Sequence, residues 1–374
     1  MDKQIRIALI GFGSMGRNYT AMLAGNLVPE LKLTGVCCRN AGGQQMLRQQ
    51  YPNIMIYENM DAMVQHRADF DAVLIVTPHT THISIAMEMA KLGKHILLDK
   101  PAGIFAGEVR ELAQFCRDRG LAFGMIFNNR RLPAFRKAKE LLENGTLGTL
   151  HRAVWVCNSW YRSPAYHRSA GWRSSWTGEG GGLLINQNVH YLDMWQWLFG
   201  MPEKLYADLQ FGRYNAFSVD DCADIQFSHP GGFHGTMVSA SGEAPGVNRL
   251  EIWGSKGRLV VEDGARLYFD ENAVSTEEFA ASNEVPFGTI AHALREIPLE
   301  VCMNPYGEVF ENFARHILFG DALYASGEDG WKTAQLTNAA YVSGWEERRV
   351  SLPVEERRFL EGLTTRMKQE QEET

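Results

Sequence analysis

The sequence predicts an α/β chain in two domains. A doubly wound parallel sheet fills residues 1–125, and an α+β domain with a large, mostly antiparallel open sheet fills 126–374. Three observations carry that expectation. A short apolar run, Ile5 to Ile10, reads as a buried parallel strand and is followed by Gly11, Gly13 and Gly16 at G-x-G-x-x-G spacing. Strand and helix signals then alternate up to the middle of the 120s, as a parallel sheet with crossover helices requires. Beyond that point the segments become longer and β-rich, joined by turn signals such as Pro230-Gly231-Gly232 and Gly254-Ser255-Lys256-Gly257.

Taken in order, Leu31–Cys38 reads as the second strand, Ile54–Tyr57 as a short third and Asp71–Thr77 as the fourth. After Pro78, the hydroxyls of Thr80 and Thr81 are expected to cap a helix over Ile83–Leu92, with Gly93 at its C-cap. Lys94–Leu98 is the fifth strand and runs into Asp99-Lys100-Pro101. A helix over Ala106–Arg119 ends at Gly120, and Ala122–Phe127 is the sixth strand. In the second domain a helix over Pro133–Glu143 precedes strands at 150–159, 204–212, 222–228, 234–240, 248–254 and 257–262. Leu183–Phe199, Glu308–Phe319 and Gly330–Trp345 read as helices, and the polar tail Lys368–Thr374 is expected to fray.

Composition narrows the function. Charged residues make up 22% of the chain and hydrophobic ones 45%, values of an ordinary globular protein. A net charge of -7 and the lack of a long basic run argue against a nucleic-acid partner. No apolar run approaches bilayer length, and the first strand begins too near Met1 to leave room for a signal peptide, so a cytoplasmic setting without a membrane partner is expected. The six cysteines show no metal-ligand spacing, so no metal is expected.

The glycine motif points to a dinucleotide. Gly11 allows the tight turn, Gly13 lets the backbone approach a pyrophosphate, and Gly16 lets the following helix pack against the strand, the Rossmann arrangement. The turn Gly11, Phe12, Gly13, Ser14, Met15 is therefore expected to wrap the pyrophosphate. An acidic residue at the end of the second strand ordinarily binds the 2′-hydroxyl of NAD, but here that position is Cys38 and Arg39 follows. A guanidinium there permits NADP, and it could equally stack on adenine in an NAD enzyme.

Three further places could carry chemistry. In Leu183–Phe199, Asn186, His190 and Asp193 fall on one stripe of an otherwise apolar helix, which suits the lining of a cleft. Lys100 lies just past the end of a parallel strand, where ligands sit in open α/β sheets. The segment Asn158–Trp176 carries three Trp and two Tyr among Arg162, His167, Arg168 and Arg173, which suits either core packing or the binding of a polyhydroxylated ring.

Together these motifs resemble the Gfo/Idh/MocA oxidoreductases, which include glucose–fructose oxidoreductase and inositol dehydrogenases. GFGSMG resembles that family's first turn, and DAVLIVTPHTTH resembles its fourth-strand motif ending in Pro-x-x-x-His. KLGKHILLDKPAG resembles its Gly-Lys-His…Glu-Lys-Pro hallmark with Asp99 in place of Glu, and EGGGLLINQNVHYLDMWQWLFG its Gly-Gly-Gly…His-x-x-Asp helix. LEIWGSKGRLVVEDG and AAYVSGWEERRVSLP resemble its C-terminal segments.

The resemblance implies an NAD(P)-dependent dehydrogenase of a sugar, glycoside or cyclitol, with NAD favoured over NADP. It implies Lys100 at the reacting hydroxyl or carbonyl, and His190 as the general acid/base oriented by Asn186, which stands where inositol dehydrogenase-like members carry Asp. It implies Arg39, Thr77, Pro78, His79, His82, Asp99 and Lys100 at the cofactor, and Asp193, Trp172, Arg173, Tyr161 and Asn128 at the substrate. The reacting hydroxyl is expected between Lys100 and His190, with the peptide before Pro101 in the cis form. A homodimer or homotetramer paired through the open sheet is expected, because a large apolar sheet face must be covered. Two rivals are a redox-cycling glycoside-cleaving enzyme with tightly bound NAD and a non-catalytic dinucleotide sensor.

Overall fold

The computed structural model describes residues 4–373. The chain forms two compact units: residues up to Asn128 together with Asn304–Ala334, and Asn129–Met303 together with the residues from Gln335 onward.

In the first unit the elements are β1 (Ile5–Ile10), α1 (Ser14–Ala24), β2 (Leu31–Cys37), α2 (Ala41–Gln50), β3 (Met55–Tyr57), α3 (Met60–Gln65), β4 (Ala72–Ile75), α4 (His82–Lys91), β5 (His95–Leu98), α5 (Ala106–Asp118) and β6 (Phe123–Met125). The sheet order is β3-β2-β1-β4-β5-β6, and every neighbouring pair is parallel. All four residues of β4 are buried, as are Ile7 to Ile10 of β1, so both faces of the sheet centre are covered. The strand order reverses between β1 and β4, which places a ligand crevice beyond their C-terminal ends.

Three local expectations change. Thr80 and Thr81 do not cap the fourth helix: the chain takes a short 3-10 turn at His79–Thr81, and the Thr81 hydroxyl donates to Thr77 Oγ1 and to the Pro78 carbonyl, both at 2.8 Å. The helix starts at His82, one residue before the expected Ile83, and Gly93 closes it in the left-handed conformation at φ +74°. Residues 304–334, which the sequence placed in the second domain, belong to the first unit. Val309, Phe310, Phe313 and Ala314 of the helix Pro305–Phe319 enter the same core as Ile7, Leu9 and Leu33.

The second unit contains α6 (Pro133–Glu143), β7 (Leu150–Cys157), α7 (Pro164–His167), α8 (Leu183–Asn186), α9 (Val189–Phe199), β8 (Lys204–Phe211), β9 (Asp220–Ser228), β10 (His234–Ala240), β11 (Asn248–Gly254), β12 (Gly257–Glu262), β13 (Arg266–Asn272), β14 (His292–Glu296) and, late in the chain, β15 (Val350–Ser351). The nine strands run β14-β13-β12-β11-β7-β10-β9-β8-β15, with β7–β10 parallel and the other pairs antiparallel. Helix α9 lies on this sheet. The Trp195 ring stacks on Phe227 with centroids 4.3 Å apart, and Tyr191 meets Trp155 edge-on at 5.2 Å. Gly235 on β10 must lack a side chain, because any Cβ there would enter the Trp195 ring.

The opposite sheet face is not the plain apolar surface that the oligomer expectation assumed. Arg249 pairs with Glu251 and Glu262, and Arg258 pairs with Glu251 and Asp270, across β11, β12 and β13. Of the tail expected to fray, Lys368 to Glu373 lie in a helix, Glu356–Glu373, and Thr374 lies outside the described residues. Glu370 accepts from the backbone N–H groups of Trp176 and Thr177, both at 2.8 Å. Among the described residues, no helix is long and apolar enough to cross a membrane.

Candidate active site

In the first unit the candidate residues gather at the C-terminal ends of β1, β4 and β5. Gly11 sits at φ +104°, and a Cβ there would lie 2.5 Å from the Val76 carbonyl oxygen. Gly16 is equally constrained, since a Cβ would strike the Gly11 carbonyl. Gly13 differs: a Cβ would meet nothing within 4 Å, so protein packing leaves open space where a pyrophosphate would approach. The N-terminus of α1 has no side-chain cap and no acidic residue in its first turn, leaving its N–H groups and dipole to an anion. These features fit a dinucleotide held by the turn Gly11, Phe12, Gly13, Ser14 and Met15.

Thr77, Pro78, Asp99 and Lys100 follow β4 and β5 at this same edge of the sheet. Asp99 Oδ1 accepts from the Lys100 backbone N–H at 2.9 Å, and burial of the carboxyl pushes its pKa up to about 6. The Lys100–Pro101 peptide is cis. His79 is buried at the start of the 3-10 turn. His82 does not line the crevice. It is 1% exposed, its Nδ1 lies 2.7 Å from the Pro101 carbonyl and its Nε2 lies 2.8 Å from the Thr77 carbonyl. Its ring ties the β4 and β5 loops together, a positioning role instead of the cofactor contact expected from the sequence. Asn128, expected at the substrate, is half-buried where this unit ends.

In the second unit the candidate residues gather around His190. The helix expected over Leu183–Phe199 is broken in two. The Asn188 N–H bonds the Leu183 carbonyl five residues back, and the His190 N–H bonds the Gln187 carbonyl three back, so the ladder slips at Gln187-Asn188. Asn188 is held at the slip by its amide donating to Ser239 Oγ at 2.5 Å. The glycine run before α8 has a steric cause. Gly180 and Gly181 adopt φ +84° and +142°, and a Cβ on Gly182 would clash with the Asp220 carbonyl. Asp220 then fixes the start of α8, accepting from the N–H groups of Gly182 and Leu184 and from the Tyr341 hydroxyl at 2.7–2.8 Å.

His190 keeps partial exposure beside the Trp160 ring, which meets it edge-on with centroids 5.5 Å apart. Asn186 is 8% exposed, and its Nδ2 donates to the Glu179 carboxylate and to Tyr166 Oη, the latter at 3.2 Å. Because an ionised carboxylate only accepts, this pairing fixes the amide orientation and turns Oδ1 into the group Asn186 presents elsewhere. Glu179 is 2% exposed, accepts from the Ser174 N–H at 2.7 Å and lies 4.0 Å from the Arg173 guanidinium. Tyr166 Oη also receives Arg173 at 2.8 Å and Gln187 at 3.3 Å, while the Arg162 and Arg173 guanidinium carbons lie 4.8 and 4.6 Å from its ring centroid.

The remaining predicted substrate residues divide. Trp172 is half-buried with the Arg173 guanidinium 4.6 Å from its ring centroid, and Tyr161 is exposed. Asp193 is withdrawn from the surface. At 1% exposure it accepts from Arg130 Nε and Nη2 at 2.9 and 2.6 Å in a bidentate pair, so its carboxylate is occupied in holding α9. Sequence reasoning missed Glu179, Tyr166 and Arg130. Glu179 could have been noticed as the acid directly preceding the three glycines; Arg130 carries no comparable signal, because its partner is 63 residues away.

With this geometry in hand, comparison with known proteins is informative. Residues 5–127 match the model of the oxidoreductase family with an NAD-binding Rossmann fold, and residues 135–260 match the GFO/IDH/MocA C-terminal domain. Myo-inositol 2-dehydrogenase of Thermotoga maritima is 25% identical over 93% of this chain and 98% of its own. The trans-1,2-dihydrobenzene-1,2-diol dehydrogenase of Bos taurus is 28% identical over 69% of this chain and 74% of its own. Among solved structures, the WlbA dehydrogenase of Bordetella pertussis in complex with NADH and UDP-GlcNAcA superposes with a TM-score of 0.78 at 21% identity, covering 94% of this chain and all of that one. Levoglucosan dehydrogenase in complex with NADH and L-sorbose gives 0.79 at 20% identity, covering 94% and 99%. The fold and the family models are those of an NAD(P)-dependent oxidoreductase. The chain belongs to the GFO/IDH/MocA family.

Proposed function

We propose that this chain is a dehydrogenase acting on a secondary alcohol of a sugar, glycoside or cyclitol, with Lys100 and His190 handling the proton of the reacting hydroxyl. The observation that carries this reading is the surroundings of His190. An aromatic edge from Trp160 and a fixed amide from Asn186 accompany an ionisable ring that keeps partial exposure. Aromatic faces with a few convergent polar groups suit a ring that offers C–H surface and hydroxyls together. The full-length similarity to a myo-inositol dehydrogenase supports the same substrate class.

The nicotinamide cofactor, when bound, supplies the hydride acceptor or donor. The chain does the rest. The glycine turn and the α1 N-terminus hold the pyrophosphate, and Thr77, Pro78, His79 and Asp99 line the nicotinamide half. In the oxidative direction a ring nitrogen of His190 takes the hydroxyl proton, and the Lys100 ammonium hydrogen-bonds the developing carbonyl oxygen. Asn186 presents its Oδ1 as an acceptor because Glu179 holds its Nδ2. The Glu179 carboxylate thus stands behind Asn186, the position where inositol dehydrogenase-like relatives carry Asp, and is joined to it through the amide. Positioned acid/base assistance of this kind contributes on the order of 10²–10⁴-fold. Trp172, Arg173, Tyr161 and Asn128 are assigned to substrate contact; Asp193 and His82 are assigned to positioning.

The test is a panel of hexoses, glycosides and inositols with NAD and NADP, read by the absorbance of the reduced cofactor. Sustained turnover with at least one member is expected, and a protein that binds dinucleotide but reduces none overturns the reading. A homodimer or homotetramer in a reducing, cytoplasmic setting is part of this proposal. Light scattering that finds a monomer at micromolar concentration overturns the assembly.

A further inference from the structure

Two guanidinium groups of the second unit share one tyrosine ring close to His190. The Arg162 and Arg173 guanidinium carbons lie 4.8 and 4.6 Å from the centroid of the Tyr166 ring. That ring is fixed from below, because its hydroxyl receives Arg173 at 2.8 Å, Asn186 at 3.2 Å and Gln187 at 3.3 Å. Arg162 is fixed through its backbone, whose N–H donates to the Ser241 carbonyl at 2.7 Å. Trp160 links the pair to His190. The Arg162 guanidinium carbon lies 5.9 Å from the Trp160 ring centroid, and the same ring meets His190 edge-on at 5.5 Å.

The charges of this cluster do not balance. Arg173 has a carboxylate, Glu179, at 4.0 Å. Arg162 forms no ion pair among the described residues: its Nη1 donates to the Tyr161 carbonyl at 3.2 Å, and its Nε is buried without a protein partner, as is that of Arg173. Two nearby carboxylates are occupied elsewhere. Asp221 accepts from the backbone N–H groups of Arg213, Tyr214 and Asn215 at 3.0, 2.7 and 3.1 Å, and Glu243 accepts from the Tyr214 hydroxyl at 2.9 Å and from the Asn158 amide. Burial lowers the His167 pKa, so that ring adds no charge near neutrality, and Arg168 is exposed to solvent. Two half-buried guanidiniums thus face a single carboxylate, and aromatic faces hold Arg162 where an anion would ordinarily do so.

We propose that Arg162, seconded by Arg173, is a carboxylate subsite, so that the substrate is a polyhydroxylated acid such as a uronic acid and not a neutral polyol. The inference rests on the sugar-dehydrogenase reading of the His190 site and deepens it by naming the substrate class. A carboxylate takes two parallel N–H bonds from a guanidinium, and its single charge equals the excess of the cluster. A phosphate dianion would overshoot that excess. A neutral polyol would leave the cation uncompensated once water is excluded, which is costly for a charged donor. Trp160, shared by Arg162 and His190, then offers its ring to the C–H surface between the acid group and the reacting hydroxyl.

The test uses matched compounds: several hexoses, each against its own uronic acid and its own 6-phosphate. Full-length protein with cofactor present is assayed for turnover and titrated calorimetrically, at low and at high salt. The subsite predicts kcat/KM for the uronate about tenfold or more above that for the hexose, with the margin narrowing as salt screens the cation. Arg162→Gln keeps a hydrogen-bonding side chain without the charge. It should cut the acid-to-neutral ratio of kcat/KM by about tenfold or more, mainly through KM, and Arg162→Lys should recover part of that ratio. Equal use of hexose and uronate overturns the proposal. So does an unchanged ratio in Arg162→Gln, because a residue that only packs the loop affects both substrates alike. Preference for the 6-phosphate overturns the carboxylate assignment. Turnover of neutral hexoses alone overturns the subsite and leaves the dehydrogenase reading standing, whereas uronates that bind selectively without turnover support the subsite and overturn that reading.

Discussion

Replacing Asp193 with Asn separates two roles for the residue that the sequence alone could not. A substrate ligand would be lost with little cost to the fold, whereas breaking a buried ion pair would deprive Arg130, at 3% exposure, of its bidentate carboxylate. Removing one partner of such a pair typically costs about 3–5 kcal/mol. The Arg130 guanidinium also lies 5.7 Å from the Trp197 ring centroid, a cation–π contact that survives the change and offsets part of the loss. The lower end, about 3 kcal/mol, is therefore expected. For a unit of this size each kcal/mol moves Tm by about 2–4 °C, giving a fall of roughly 6–12 °C. Thermal and denaturant unfolding of Asp193→Asn measure it directly. The pair Arg130→Met with Asp193→Leu should recover much of the loss, since a well-packed apolar pair removes the stranded charge. A Tm within 2 °C of the parent, together with a raised KM, would refute the structural role and return Asp193 to the substrate.

Three other substitutions have definite expected outcomes. Gly13→Asp should fold with near-parental stability, because nothing lies within 4 Å of its Cβ, yet lose dinucleotide binding by at least tenfold; Gly11→Ala should instead lose stability, because its Cβ would lie 2.5 Å from Val76 O. A single pair of melting curves and a cofactor titration distinguish them, and normal binding by Gly13→Asp contradicts the placement. Asp99 carries a pH dependence: its folded-state pKa, raised to about 6 by burial, means the native state holds the proton more tightly than the unfolded chain. Its contribution to stability is complete below about pH 4 and is lost as pH rises through about 6, on the order of 3 kcal/mol in all. Asp99→Asn should flatten the stability profile across that window, and an unchanged profile contradicts the burial.

Much of the first unit was legible because its signals are local. An apolar run followed by glycines at fixed spacing specifies a strand, a turn and a helix within a dozen residues, and the strand order follows from right-handed crossovers. What was not legible depended on distant partners. Residues 304–334 join the first unit through Phe310 and Phe313, a contact that periodicity cannot assign to either domain. The tail was read as frayed because its residues are polar, yet Glu370 is held by backbone N–H groups of residues 176 and 177. At the candidate site the stripe Asn186, His190 and Asp193 assumed an unbroken helix. The ladder slips between Asn186 and Val189, and a buried arginine claims Asp193. His82 was assigned to the cofactor from its motif, but two backbone carbonyls occupy its ring. Such ties are made by tertiary structure, and the residue type alone does not reveal them.

The central claim is that Lys100 and His190 together move the proton of a substrate hydroxyl. The most direct measurement is kcat of Lys100→Met and His190→Ala on whichever polyol the parent oxidises, with dinucleotide affinity titrated alongside. The account predicts that each variant loses kcat by about 10²-fold or more while binding the cofactor within about twofold of the parent. Turnover by both variants at close to the parental rate would contradict it.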